Sequence, residues 1–493
     1  MPSATSTVRR RSGRVETPIS APDPLYRQLA DELSRMVANG ALRPGDRLPG
    51  VRGLARQRRV SLSTVLAAYR LLEDRGVIAV RPQSGHYVAS RPMLVVPRPE
   101  PSRPTMAREE VNVADLVQEI LGRVNDPGVV PFGVATSDPE VYPGRRLNAV
   151  LARLARESST NGIGYSPNRG HPELIHQVVR RAVGHGMPVD PSEVIITNGA
   201  TEAMWIALRT LCQAGDTILV ESPTYYGILN LAQALSLKVV ELPTCTEEGI
   251  ETKRMESVLR RIKAKVLITM PTTHNPLGIA IPEPDRERLV EICQEYGVTI
   301  LEDGVYADLH YDSPRPRPLR AFGDRRADIL SIGSFSKTLA AGYRVGWLFA
   351  GKHVDAALRL RFATSMQTNG LAQLAIAEYL AGHGAEHHLR GLRQRYRGQV
   401  ADYSCAMARY FPEGTKVTRP TGGHILWVEL PETVDALQLA KRALKQGIGI
   451  MPGRVFAPGE GYLHHFRLNC GYALDDRLES KLAQLGKMVE QMA

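Results

Sequence analysis

Residues able to do chemistry follow several apolar, strand-like runs in the larger part of this chain. A lysine amine is a nucleophile when its pKa is depressed, and Lys337 is the candidate here. Small residues that open a helix let backbone N–H groups and the helix dipole approach a phosphate closely. The segments concerned are Asn198-Gly199-Ala200-Thr201, Pro223-Thr224-Tyr225, Asn275-Pro276-Leu277-Gly278, Asp303 with Tyr306, and Ser334-Phe335-Ser336-Lys337 with Gly342-Tyr343-Arg344.

Each segment also has an ordinary structural interpretation. Asn-Gly and Asn-Pro dipeptides are common in turns, and Asp303 could cap the segment after it. Ser334 and Ser336 could lie in a surface loop, and a single lysine is most often a solvated charge. The case for a shared site is that five such segments follow one another, each at the end of a strand-like run.

Strand-like and helical runs alternate from about residue 111 onward. Such alternation predicts a mostly parallel sheet covered by helices on both faces. In open parallel sheets ligands bind beyond the carboxyl ends of the strands, so the five segments should converge there. The strand-like runs are Val194–Thr197, Thr217–Glu221, Val266–Met270, Val298–Glu302, Ile329–Gly333 and Val345–Ala350.

The last part of the chain has a different pattern. It begins near residue 385 with a helical, arginine-rich stretch, and then gives Thr421–Leu430 as a strand and 434–446 as a helix. Short strands follow near 448–451 and 464–470. We therefore predict a large α/β domain over 111–385 and a smaller α+β domain over 386–493.

The positive charge is concentrated in the first fifth of the chain. Residues 1–104 hold 18 arginines, no lysine and 8 acidic residues, a net charge of +10 out of +11 for the whole chain. Clustered cations release counterions from a phosphate backbone, so this part is predicted to bind a polyanion. The alternative is a basic disordered tail attached to an unrelated domain.

Residues 24–89 have the pattern of three helices and a hairpin. Apolar residues recur at helical spacing from Leu25, a short helix fits Val51–Arg59, and Ser61 can cap a third helix. Two short alternating runs then predict a winged helix-turn-helix. We place a basic disordered tail at 1–22, the winged helix at 23–90 and a proline-rich, semi-stiff linker at 91–110.

Composition excludes several other classes of protein. The chain has 493 residues, of which 43% are hydrophobic, so large buried cores are possible and wholesale disorder is excluded. It has no apolar run of the ~18–20 residues that span a bilayer, and no signal peptide is expected. Five cysteines lack C-x-x-C spacing, so we expect a reducing cytoplasm and no metal site.

The lysine segment resembles the motif of the fold-type I aminotransferases, which use pyridoxal 5′-phosphate. Ser334-Phe335-Ser336-Lys337 with an arginine seven residues on carries the resemblance. It implies that Lys337 forms an aldimine with the cofactor and that Asp303 keeps the pyridine nitrogen protonated. Further cofactor contacts are implied for Tyr306 and Asn275 at the phenolate oxygen, for Tyr225 on the ring face, and for Gly199, Ala200, Thr201, Ser334, Ser336 and Arg344 at the phosphate.

The same resemblance implies two contacts beyond the cofactor. Arg467, in His465-Phe466-Arg467-Leu468-Asn469, matches the arginine that binds the α-carboxylate of the substrate. Tyr165 matches a tyrosine that reaches the cofactor phosphate of the neighbouring subunit, which implies a dimer.

The N-terminal module resembles the GntR type of winged helix. Gly45-Asp46, Leu48-Pro49 and the Ser61–Val65 segment carry this resemblance. It implies that DNA is contacted by Arg52, Ser61, Ser63 and Thr64, and that the wing tip Ser84-Gly85-His86 touches the minor groove or backbone. Phosphate contacts are expected for Arg47, Arg58 and Arg59. Ser61 could instead only cap its helix, and Arg47, Arg58 and Arg59 could be solvated charges.

A GntR-type DNA-binding domain joined to an aminotransferase-like domain resembles the MocR family of bacterial transcription regulators. The resemblance to that family implies a head-to-tail homodimer, whose two DNA-binding domains bind paired operator sites on double-stranded DNA. The leading hypothesis is a regulator that senses pyridoxal phosphate or an amino compound at Lys337. The alternatives are a working aminotransferase with an accessory DNA-binding domain and a scaffold that binds no cofactor.

Overall fold

The chain divides into two units, Met1–Pro92 and Met93–Ala493. The computed structural model describes residues 24–38, 41–43, 45–74, 77–81, 85–88, 96–111, 114–124, 126, 128–157, 163–312, 314–323, 327–382 and 384–493. The predicted tail 1–22, the wing turn that includes Ser84, and residues 91–95 of the predicted linker lie outside the described residues.

The N-terminal unit contains the predicted three helices and hairpin. A cluster of buried side chains that includes Leu33, Val65, Tyr69 and Leu72 holds the helices against the hairpin. The winged helix-turn-helix architecture is thereby confirmed. Its elements are α1 Leu25–Ala38, α2 Val51–Arg58, α3 Leu62–Asp74, β1 Ile78–Arg81 and β2 Gly85–Val88.

The larger unit alternates strands and helices as predicted. Among the described helices, none combines the length and the apolar character that a bilayer span requires. The strands are β3 Val130–Pro131, β4 Val194–Thr197, β5 Thr217–Ser222, β6 Lys238–Cys245, β7 Gly249–Ile250, β8 Val266–Thr269, β9 Thr299–Asp303, β10 Ile329–Ser334, β11 Gly346–Phe349, β12 Lys416–Val417, β13 Ile425–Glu429, β14 Ile448–Gly449, β15 Met451–Pro452 and β16 His465–Asn469. The helices are α4 Ala114–Val124, α5 Gly144–Glu157, α6 Pro172–Gly184, α7 Ala200–Leu211, α8 Tyr226–Ala234, α9 Thr252–Leu259, α10 Glu283–Tyr296, α11 Val354–Thr364, α12 Gly370–Ala381, α13 Gly384–Tyr410, α14 Ala436–Lys445 and α15 Asp476–Glu490.

Eight strands form the central sheet in the order β4-β11-β10-β9-β8-β5-β6-β7. β11 runs antiparallel to both of its neighbours, β4 and β10, and β7 runs antiparallel to β6, whereas the other described pairs of this sheet are parallel. Successive side chains of a strand point to opposite faces, and both faces are covered: Ile218 and Val220 join one apolar cluster, while Leu219 joins another. The mostly parallel sheet is confirmed, and it places the carboxyl ends of β5, β8, β9 and β10 along one edge.

The small C-terminal sheet, β12-β13-β16-β15, is antiparallel. The sequence places a domain boundary at 385/386, whereas α13 crosses that point without a break. Val130 and Phe132 also pack in one cluster with Val400 and Tyr403. The small domain therefore takes in residues near 130, far from it in sequence.

Residues 96–110, predicted as part of a linker, lie along the larger unit. The carbonyl of Pro97 accepts a hydrogen bond from Val417 N–H at 2.8 Å. Ser102 is buried, and its hydroxyl accepts from Thr244 N–H at 2.8 Å. Backbone hydrogen bonds fix this proline-rich segment, and composition does not encode such partners.

Candidate functional site

A cavity of about 400 Å³ lies at the carboxyl ends of the central strands. The segments after β4, β5, β8, β9 and β10 all contribute to its lining, as parallel strand topology requires. Predicted residues that line it are Ala200, Thr201, Tyr225, Asn275, Asp303, Tyr306, Ser334, Ser336, Lys337, Arg344 and Arg467.

Lys337 follows β10 and projects into the cavity. Its Nζ donates to the carbonyl oxygen of Ala135 at 2.7 Å and lies 5.6 Å from the centre of the Tyr306 ring. Burial lowers the pKa of the amine to about 8, and the nearby cations Arg467 and Arg344 add to the effect. The share of neutral, nucleophilic amine at neutral pH is therefore a minority, but it is much larger than in an ordinary lysine.

This lowered pKa predicts the pH dependence of cofactor capture. Because the neutral amine is the reactive form, capture by the cofactor-free protein should rise with pH and be half-maximal near pH 8, against 10.5 for an ordinary lysine. The measurement is the rate of covalent attachment of pyridoxal phosphate across pH 6–10. N-α-acetyl-lysine in the same buffers is the control, and a protein profile that follows this free amine would contradict the prediction.

Asp303 ends β9 and is buried, with its Oδ1 accepting a hydrogen bond from Val305 N–H at 3.0 Å. Burial raises the pKa of the carboxyl to about 6, and the nearby carboxylates of Glu221 and Glu302 raise it further. His274 and the Val305 N–H act in the opposite direction. A buried carboxylate in this position is stabilised by a cationic partner.

The start of α7 and the β10–β11 connection form a small concave surface. Arg344 donates through Nη1 to Ser336 Oγ at 3.2 Å and through Nη2 to the carbonyl of Asn198 at 3.4 Å. Ser334 Oγ donates to Ser336 Oγ at 2.9 Å. Gly199 has φ +84°, and a Cβ there would lie 2.4 Å from Arg344 Nη2. A side chain at this φ is strained, so glycine is favoured, and the N–H groups at the start of α7 lie beside the Arg344 guanidinium, an arrangement suited to a phosphate.

Arg467 lies fully buried on β16. Its Nη1 donates to Asn275 Oδ1 at 3.0 Å and its Nη2 to the carbonyl of Gly133 at 2.8 Å. The guanidinium carbon is 5.6 Å from the centre of the Tyr226 ring and 5.1 Å from that of Phe456. Its Nε is buried without a partner among the described residues, so the group is oriented but retains hydrogen-bonding capacity.

Several residues around the cavity were not predicted from the sequence. Tyr226 stacks beside Tyr225, with ring centres 4.7 Å apart, and its position next to a predicted residue is a signal that could have found it. Glu221 is the last residue but one of β5, and Asp303 is the last residue of β9, so the strand-end rule could have found Glu221 as well. Phe456 comes from the C-terminal part of the chain and has no local signal.

Tyr165 is a predicted cofactor residue that the structure does not bring into this cluster. Its side chain does not line the cavity, and it is 83% exposed. The neighbouring Ile163 is 84% exposed. Two large apolar side chains in one loop thus face outward.

In the N-terminal unit, the predicted hydroxyls contact one another at the start of α3. Ser61 Oγ accepts from Thr64 N–H at 3.0 Å and lies 2.7 Å from both Ser63 Oγ and Thr64 Oγ1. Ser61 therefore caps the helix, whatever else it contacts. Arg58 forms an ion pair with Glu32 at 2.6 Å, which occupies it within the unit.

Arg52 and Arg47 are exposed on the same unit. Arg47 passes beside Gly85, where a Cβ would lie 3.5 Å from its Nε. His86 packs against Tyr69, with ring centres 4.6 Å apart, so it is held to the core and is not free at the wing tip.

Comparison with known proteins matches both units. Residues 138–480 match the family model "Aminotransferase class I and II", and residues 25–88 match "Bacterial regulatory proteins, gntR family". The chain is 35% identical to the HTH-type transcriptional regulator YdcR of Escherichia coli over 94% of this chain and 99% of the relative.

Solved structures resemble the larger unit. The kynurenine aminotransferase of Pyrococcus horikoshii, crystallised with PMP, has a TM-score of 0.72 at 26% identity, over 77% of this chain and 95% of that one. LysN of Thermus thermophilus, crystallised with N-(5′-phosphopyridoxyl)-L-leucine, has a TM-score of 0.70 at 26% identity, over 78% and 99%.

Pyridoxal 5′-phosphate is the cofactor of this domain type. The site fits it, because the glycine at 199 leaves room for a phosphate beside Arg344, and buried Asp303 is suited to a cationic ring nitrogen. The larger unit of the chain belongs to the class I and II aminotransferase family, and residues 25–88 belong to the GntR family of regulators. This combination of domains places the chain in the MocR family.

Proposed function

We propose that this protein is a transcription regulator whose DNA binding responds to pyridoxal phosphate or to an amino compound captured at Lys337. The proposal rests on one observation: the same chain contains a GntR-type DNA-binding domain and a cavity in which the amine of Lys337 has a lowered pKa. Regulation requires that the ligand bind two states of the protein with different affinity.

Different residues of the cavity would bind the phosphate, the ring nitrogen and the carboxylate of the ligand. The start of α7 with Ser334, Ser336 and Arg344 would bind the phosphate, and Asp303 would keep the ring nitrogen protonated. Bound pyridoxal phosphate supplies an aldehyde that reacts with amines and a ring that withdraws electrons. Lys337 would hold or release a proton at Nζ, and Arg467 would orient a carboxylate.

The remaining contacts of the cofactor come from aromatic and amide side chains. Tyr225 would stack on the ring, and Tyr306 and Asn275 would hydrogen-bond its phenolate oxygen. Burial raises the pKa of the Tyr306 hydroxyl, so it is a hydrogen-bond donor at neutral pH. We further propose a head-to-tail homodimer in the cytoplasm, which would give the exposed Tyr165 and Ile163 a partner surface.

DNA binding by the intact protein tests the first half of this proposal. Affinity for a duplex of the region upstream of its own gene should fall steeply with salt, because cationic side chains displace counterions from phosphates. Arg52→Gln should lower the slope of log K against log[salt] by about 1. Arg209→Gln, on the exposed surface of the larger unit, is the matched control and should leave the slope unchanged. Equal slopes in all three proteins would contradict the role of Arg52.

A second function, aminotransferase activity, is favoured by one observation. Lys337, Asp303 and Arg467 all line the same cavity, so the groups for amine and carboxylate binding are present together. Steady conversion of an amino acid and a 2-oxo acid at about 1–1,000 per second, the usual range of enzymes, would support this function. A single turnover that then stops would favour the sensor.

A further inference from the structure

The outward face of the DNA-reading helix α3 is unusually apolar. Its inward face carries buried side chains, among them Val65, Tyr69 and Leu72, which pack in the core of the N-terminal unit. Its outward face exposes Leu62 and Leu66, with 49% and 41% of their surface accessible. Residues four apart lie one above the other on a helix, so the two leucines form one continuous apolar patch.

A helix surface that faces only water is normally polar. In the described part of the N-terminal unit, three large apolar side chains are exposed: the two leucines of α3 and Leu25 on α1. Two of the three lie on α3, the second helix of the helix-turn-helix, and in this motif the second helix enters the major groove of DNA. Their concentration there indicates a ligand-binding surface.

The hydroxyl groups at the start of the helix are already occupied. Ser61, Ser63 and Thr64 hydrogen-bond among themselves at 2.7–3.0 Å and cap the helix. Leu62 and Leu66 supply the apolar part of the exposed surface at the first turns of α3, next to the exposed Ser61 and Ser63.

The charge around the patch indicates what covers it. Arg70 lies on the outward face of α3, and Arg52, Arg56 and Arg59 are exposed on and just after α2. An apolar patch with Arg70 on the same helix face, in a unit that carries further exposed cations, suits a ligand with anionic edges and apolar groups between them. The major groove of DNA has this chemistry, because phosphates border it and the C5-methyl of thymine projects into it.

We propose that Leu62 and Leu66 contact thymine methyl groups in the major groove, so that sequence is read in part by apolar contact. The proposal rests on the DNA-binding function proposed above and adds its sequence preference. The two leucines are about 6 Å apart along the helix, and base pairs are about 3.4 Å apart. The two thymines should therefore lie one or two base pairs apart in each half-site.

Exchange of thymine for deoxyuridine tests this directly, because it removes only the methyl group. Full-length protein would first select sites from a randomised 30-base-pair duplex pool, and the enriched duplex would be synthesised with thymine or deoxyuridine at each position. Each contacted methyl that is removed should weaken wild-type binding about fourfold, the effect of one buried CH₂ group. Leu62→Ala and Leu66→Ala should each lose the discrimination at one position and keep the salt dependence.

Leu25→Ala removes an even more exposed leucine outside α3 and should discriminate like the wild type. Thermal unfolding of all three variants monitors folding. If wild type binds thymine and deoxyuridine duplexes equally while DNA binding persists, this inference is overturned and the DNA-binding function stands. If the leucine variants change self-association and leave DNA selection intact, the patch is a protein contact and the inference is also overturned. Absence of duplex binding at every salt concentration would overturn the proposed function itself.

Discussion

Replacement of Lys337 by alanine is expected to abolish covalent attachment of pyridoxal phosphate. Lys337 is the single lysine among the described residues that line the cavity. Its lowered pKa makes its amine more reactive than an exposed lysine amine. Borohydride reduction and mass spectrometry should find the cofactor on Lys337 in the wild type and no fixed cofactor in the variant.

Lys352→Ala provides the matched control. This lysine is exposed and lies 3.3 Å from Asp328, outside the cavity, so its replacement should leave cofactor attachment unchanged. If sensing depends on capture at Lys337, the DNA affinity of Lys337→Ala should also no longer respond to added amino compounds. Cofactor fixed to a different lysine in the wild type would contradict both the site and the mechanism of sensing.

Strand order explains why much of this site could be predicted. Val194–Thr197 was predicted as a strand and is one, because four consecutive buried residues form a distinct apolar run. Parallel strands bring their carboxyl ends to one edge, so Thr201 meets Asp303 and Ser334 there although it precedes both by more than a hundred residues. Local pattern and topology were sufficient for this half of the cavity.

Other parts of the fold depend on contacts that no local pattern encodes. Strand β6 was not predicted, since Glu241 and Pro243 interrupt its apolar run. In the fold, Ser222 Oγ donates to the carboxyl of Glu241 at 2.6 Å, and burial raises the pKa of that carboxyl to about 7. A charged residue in a central strand is tolerated because this partner arrives from β5, and only the tertiary structure supplies it.

The surroundings of Arg467 show the same limit. Resemblance assigned the arginine to a carboxylate, but Gly133, Tyr226 and Phe456, which fix its orientation, come from three distant parts of the chain. Stacking and hydrogen bonding hold the guanidinium in place before any ligand arrives. Such preorganisation lowers the entropic cost of binding a carboxylate.

Arg467→Gln should therefore remove the preference of the site for a carboxylate. Wild type should bind leucine more tightly than leucinamide, and the variant should lose about 2–5 kcal/mol, thirtyfold or more, of that preference. Titration of the absorbance of the bound cofactor measures both ligands, and retention of the cofactor shows that the variant is folded. Arg454→Gln, at a partly exposed arginine 3.9 Å from Glu460, is the control. Equal weakening of leucine and leucinamide would mean that Arg467 only supports the structure, because a carboxylate contact must separate the two ligands.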